Sequence, residues 1–254
     1  MKKLLVAICA VGLLMTGCGG EQGGSNTKDP NSQATIIRLG MISHLNADEK
    51  QMEDYLFKVQ EKTHAKVINH VPVFFDSLSL MQMGIESGKV DVISTYKSVA
   101  DYLLANNDKF EIVNDKWIEG LADNFCFAVR KEDTQLKADL DRVIGDMKAD
   151  GSLDILISEY INDVDKKNPP QVKIPKINGA PTLKVGITGD LPPLDLILPD
   201  NSPAGFNTAL LAKISKRLGK NIEIIQIDSG ARAAALSSEQ IDVVFWAIDR
   251  KSVV

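Results

Sequence analysis

The sequence predicts an α/β fold made of parallel βαβ units arranged in two modules. Three observations carry that prediction. From Ile36 onward, short apolar runs alternate with longer segments of helical spacing. A proline-rich stretch interrupts the alternation, which then restarts. Glu86–Ser94 (ESGKVDVIS) is echoed by Ser237–Trp246 (SSEQIDVVFW), each a helix end, a polar turn, an aspartate and an apolar strand, as duplication of a related unit would leave.

Taken in order, Ile37 to Ile42 reads as the first strand. Asp48 to Thr63 has helical spacing, with Met52, Tyr55, Leu56 and Val59 on one face. Residues 66–75 predict a second strand, 77–87 a helix and 89–94 a third strand. Residues 99–105 are helical, 110–113 and 124–130 read as short strands, and 136–147 and 153–161 as two helices. Right-handed crossovers between parallel strands follow from this order. Residues 162–181 hold Pro169, Pro170, Pro175 and Pro181, which fix φ and remove donors, so a stiff extended connector is expected. Beyond it come a strand over 183–188, a helix over 206–218 closed by Gly219, a strand over 222–227, a short helix over 231–237 and a strand over 241–246.

The N-terminus reads as an address. Lys2 and Lys3 precede an unbroken apolar run from Leu4 to Leu14, too short to span a bilayer and the size of a signal-peptide core. Met15-Thr16-Gly17-Cys18 follows, and it resembles a bacterial lipobox. The resemblance implies cleavage before Cys18 and acylation of its thiol; an ordinary secretory signal is the other reading. Acyl chains hold such a terminus to a bilayer at ~0.8 kcal/mol per buried methylene. The Gly/Ser/Asn-rich residues after Cys18 form a flexible tether with a reach of roughly 20–24 Å.

Composition excludes several classes. The 254 residues are 44% hydrophobic and 25% charged, a globular balance. Lys+Arg 29 against Asp+Glu 34 gives net charge −5 and no basic face for nucleic acid. Three Cys are too few for a disulfide scaffold; Cys126 alternates with apolar residues and reads as a buried inert thiol. His44, His64 and His70 have no metal-ligand spacing, and no HExxH, GxSxG or P-loop motif is present, so neither an enzyme nor a cofactor is expected.

From Leu183 the chain carries Gly186 on a strand, Asp190-Leu191-Pro192-Pro193-Leu194, Gly205-Phe206 opening a helix, Leu218-Gly219 closing it, and Ile241-Asp242-Val243-Val244. These ordered pieces resemble the first lobe of the bacterial extracellular solute-binding proteins, family 3, the amino-acid receptors of ABC importers. Ser87-Gly88-Lys89-Val90-Asp91, Val99–Leu104, Phe127–Lys131 and Lys148–Leu153 resemble that family's second-lobe and closing segments, more weakly. The resemblance implies lobes of the periplasmic-binding-protein type II kind, closing on a ligand by hinge motion. The division expected is a signal peptide over 1–17, a tether over 18–35, a degenerate solute-binding-like module over 36–165, a linker over 166–181, an incomplete first lobe over 182–248 and a non-native tail over 249–254. That tail, DRKSVV, resembles a translated sequencing adapter.

The resemblance places candidate ligand contacts at Asp190, Leu191, Pro193, Leu194, Asp195, Gly205, Phe206 and Arg232. Asp190 and Asp195 flank the Pro-Pro turn at the carboxyl end of a strand, the edge where open α/β sheets bind ligands. They fit either a ligand ammonium or ordinary turn chemistry. Family members carry aromatics where Leu191 and Leu194 stand, and an Asp is common at Asn207. Gly205 permits close backbone approach. Arg232, at a predicted helix start where the dipole disfavours it, suits a ligand carboxylate or a solvated surface. The family's decisive arginine lies beyond Trp246, and one partial lobe is expected to enclose no ligand and to have negligible amino-acid affinity. The function implied is the lipid-anchored binding component of an amino-acid importer in the bacterial cell envelope, with a membrane permease as partner. A sensory or scaffolding envelope lipoprotein is the alternative.

Overall fold

Two parallel βαβ layers face one another. The computed structural model describes residues 36–43, 50, 53–54, 57, 70–113 and 125–248. The signal peptide, Cys18, the tether, the 249–254 tail and most of the helix expected over 48–63 lie outside the described residues; Lys50, Glu53, Asp54 and Phe57 of that stretch are helical.

The first layer holds β1 (Ile37–Ile42), β2 (His70–Phe75), α1 (Leu78–Glu86), β3 (Val92–Ile93) and α2 (Lys97–Asn106). Its sheet runs β2-β1-β3, all parallel. Ser77 caps α1, its hydroxyl accepting from the Leu80 N–H at 3.2 Å. Leu78 and Met81, on the inward face of α1, pack with Phe75, Val90, Val99 and Leu103.

The second layer holds β4 (Phe125–Val129), α3 (Thr134–Ala149), α4 (Ser152–Ile157), β5 (Thr182–Ile187), α5 (Gly205–Leu218), β9 (Asn221–Gln226), α6 (Arg232–Ser237) and β10 (Val243–Ile248). A small antiparallel sheet of β6 (Asp190–Leu191), β7 (Asp195–Ile197) and β8 (Pro203–Ala204) lies between β5 and α5 in the chain. The main sheet runs β4-β10-β5-β9, with β4 antiparallel to its neighbour. Its core joins Val143 and Met147 of α3, Leu156 of α4, Val185 and Ile187 of β5, and Leu211 and Ile214 of α5.

The sequence echo has a structural counterpart. β1 sits between β2 and β3 as β5 sits between β9 and β10. Asp91 and Asp242 serve the two units alike. Asp91 Oδ2 accepts from the Arg38 N–H at 2.8 Å and its own N–H donates to Arg38 O at 2.9 Å. Asp242 Oδ2 accepts from the Lys184 N–H at 2.9 Å and its N–H donates to Lys184 O at 2.8 Å.

Several expectations need correction. Residues 110–113 form no strand, and the strand expected over 89–94 shrinks to Val92–Ile93. The last expected helix passes at Ser158–Asn162 into a π-helical turn. The boundary drawn at 165 cuts across the second layer, because β4, α3 and α4 precede the proline-rich stretch yet complete that layer. β4 covers the edge of β10, where the Phe127 ring meets Phe245 edge-on at 4.7 Å and Arg130 donates to Ile241 O at 2.7 Å. The connector, expected to be extended throughout, turns at Asp165–Asn168 and again at Ile177–Ala180, and it is held to the same layer. Asn221 Nδ2 donates to Ile177 O and Ala180 O, both at 3.0 Å. From Ile36 onward the described residues form one compact unit.

Candidate functional site

At the carboxyl ends of β1, β2 and β5 the two layers enclose a cavity of about 30 Å³. One wall is Ile42, Ser43, Ser77, Leu78 and Tyr96; the other is Thr188, Asp190, Leu191, Asp195, Ser229 and Arg232. The expectation of a single open lobe is therefore corrected: the segment before the linker supplies the facing wall. The loops that meet there are bonded directly, the Ser229 N–H donating to Asp76 O at 3.1 Å.

Among the described residues, three charged side chains converge on the cavity. Asp195, at 2% exposure, accepts at Oδ2 from the Thr188 N–H at 3.0 Å and from the Thr188 hydroxyl at 3.1 Å. Its Oδ1 is buried with no hydrogen-bond partner among the described residues. Burial pushes this carboxyl up to about 6, against the opposing pull of the Thr188 and Gly189 N–H groups and of Arg232. Asp190 Oδ2 accepts from the Ser79 N–H at 3.2 Å across the layer boundary, and burial raises its pKa as well. Arg232 is 5% exposed, which overturns the solvated-surface reading. Its Nε donates to Ser229 O at 3.3 Å, Nη1 to Phe245 O at 3.2 Å and Nη2 to Ser229 Oγ at 3.2 Å. Burial lowers its pKa, and the nearby Asp195 opposes that fall.

The other expected contacts divide. Leu191 lines the cavity and, with Leu194, also packs into the first layer's core beside Phe75, Leu78 and Met81. The apolar rim thus joins the layers. Pro193, Leu194, Gly205 and Phe206 are not part of the cavity lining. Pro193 O accepts from the Phe206 N–H at 3.0 Å and Leu194 O from the Asn207 N–H at 2.8 Å, so this loop caps the start of α5. The close approach at Gly205 is internal. Its φ is +87° and a Cβ there would lie 2.7 Å from Pro193 O. Phe206 packs in the second layer's core. The Asn207 side chain is fully buried, with no partner for either polar atom among the described residues.

Cys126 corrects another expectation, because its side chain is exposed. Strand alternation puts it on the face opposite Phe125 and Phe127, and Phe127 is the one that enters the core.

The cavity residues Ser43, Ser77, Tyr96, Thr188 and Ser229 carry no motif. A signal existed for two of them: the echo extends back one helix, to Asp76-Ser77 and Asp228-Ser229, and both serines line the cavity.

Residues 183–252 match the family model of the bacterial extracellular solute-binding proteins, family 3. That stretch, similar to family 3, contains nearly all of β5 and the elements through β10, with the cavity residues Thr188 to Arg232. The match ends inside the segment that the sequence sets apart as a non-native tail. No curated protein matches the chain. Among solved structures, it is similar to the ligand-binding component of an ABC-type import system from Staphylococcus aureus, determined with zinc bound. The identity is 12% and the TM-score 0.35, over 82% of this chain and 53% of that one. The chain thus spans about half the length of that protein.

Proposed function

We propose, from the similarity of residues 183–252 to family 3, that the chain is the solute-binding component of an ABC importer. It holds an amino acid non-covalently between its two layers and delivers it to a membrane permease. The observation that carries the reading is the convergence of the buried Asp195 and Arg232 and the half-buried Asp190 around one cavity between the layers. Buried charge is expensive unless paired, and a zwitterion brings both partners, an ammonium for the carboxylates and a carboxylate for the guanidinium. Loading requires the layers to part and close again, a hinge motion that the loop contact at Asp76 and Ser229 would gate. The N-terminal Met15–Cys18 motif supports an acylated Cys18 as the anchor, with the folded layers outside the cytoplasmic membrane in the cell envelope.

Calorimetric titration of the purified chain with the common amino acids tests this. Micromolar binding of at least one, lost on replacing Asp190 and Asp195 together by Asn, is the expected result. No heat from any of them up to millimolar concentration defeats the reading.

A further inference from the structure

Among the described residues the charges around the cavity do not balance: two carboxylates, Asp190 and Asp195, face one guanidinium, Arg232. A zwitterion adds one charge of each sign and leaves that surplus as it was. Arg232 is engaged within its own layer, with Nε, Nη1 and Nη2 donating to Ser229 and to the Phe245 carbonyl. Asp195 is only half served: Oδ2 receives both Thr188 donors, and Oδ1, buried in the cavity wall, has no partner among the described residues. A buried carboxylate oxygen in that state demands a donor, and a positively charged donor most of all. The space beside it fits the same requirement. The cavity's volume of about 30 Å³ exceeds the roughly 10–15 Å³ that one water needs, so an ammonium head, similar in size to a water, has room there.

We infer that this cavity selects a solute of net charge +1, seating its primary ammonium between Asp195 Oδ1 and Asp190. The inference rests on the solute-binding reading above and narrows its ligand. The ammonium is shared by a basic amino acid, whose remaining groups are zwitterionic, and by a simple alkylamine. In either case the charges of the ligand and of the described lining residues sum to zero, which neither a neutral nor an acidic amino acid achieves.

The test is calorimetry at pH 7.5 on the purified chain with L-lysine, n-butylamine, L-alanine and L-glutamate. Lysine or butylamine binding at least tenfold more tightly than alanine, with glutamate weakest, is the expected order. Butylamine matching lysine identifies an amine site, and lysine alone binding tightly identifies a basic amino-acid site. The Asp195→Asn chain should bring the lysine-to-alanine ratio close to one. If a thermal melt shows that chain to be unfolded, Asp190→Asn decides instead, with the same expected fall. Alanine binding as tightly as both cations, glutamate binding most tightly, or a preference that survives the substitution overturns the charge inference and leaves the amino-acid reading standing. Silence from all four probes and from the other common amino acids overturns both.

Discussion

Replacing Asp195 with Asn should change how stability depends on pH, in a direction opposite to that of most carboxylates. Burial holds the folded-state pKa at about 6 against an ordinary 3.8. A group raised in this way binds its proton more tightly in the folded chain than in the unfolded one. Its contribution to stability is therefore fully present below pH 3.8 and is lost as pH rises through about 6. That displacement corresponds to about 3 kcal/mol. The Asp195→Asn chain cannot ionise at this position and is spared the loss. Urea unfolding of both chains from pH 4 to pH 7.5 isolates the effect, because every other group titrates alike in the two. Asp91 and Asp150 are held near 2, Asp91 chiefly by the Arg38 side chain and Asp150 by Ser152 and Arg217, and their contributions vanish only at lower pH. Across this range the variant should gain about 2 kcal/mol relative to the parent, the rest of the effect lying below pH 4. A gap between the two chains that stays constant from pH 4 to pH 7.5 would refute the burial of an ionisable Asp195.

Gly205→Ala should lower stability by about 2–4 kcal/mol in a thermal or urea melt, because the new Cβ meets the Pro193 carbonyl at a left-handed φ. Gly219→Ala, with a φ of +63° and nothing within 4 Å of a new Cβ, should lose only about 1 kcal/mol. Arg130→Met removes the bond to Ile241 O and the ion pairs to Asp133 and Asp242 at 2.8 and 3.1 Å. It should cost about 1–3 kcal/mol and speed hydrogen exchange selectively across residues 125–129. Ile214→Ala, in the centre of the second core, should cost about 2–5 kcal/mol by urea unfolding, through the cavity it leaves.

Local signals were legible where local physics decides. The 3.6-residue spacing after Gly205 and the terminal Gly219 marked α5 to within a residue, and Gly219 does adopt the left-handed conformation at the helix end. The alternation in Phe125–Val129 announced a strand, but not which face would win; two phenylalanine rings outweigh one thiol, so Cys126 turned outward. Arg232 was indistinguishable from a surface arginine because its burial depends on the Phe245 carbonyl and the Asp195 charge, both remote in sequence. The pairing of β4 with β10 was invisible for the same reason. The proline-rich stretch looked like a domain boundary, and nothing nearby in the sequence says that the chain crosses back before reaching it. Thr188 and the two Asp-Ser corners enter the site through strand register alone, which appears only when the sheets are assembled.

That pairing also sets a schedule for the newborn polypeptide. Arg130 closes onto Ile241, 111 residues further along. At ribosomal speeds of about 5–20 residues per second, β4 waits on the order of ten seconds for its partner to be synthesised. Contacts so distant form late, after entropy has been surrendered over a long loop. Until β10 is made, β4 has no neighbour in the sheet, so this edge of the second layer stays open while the residues between the two strands are synthesised.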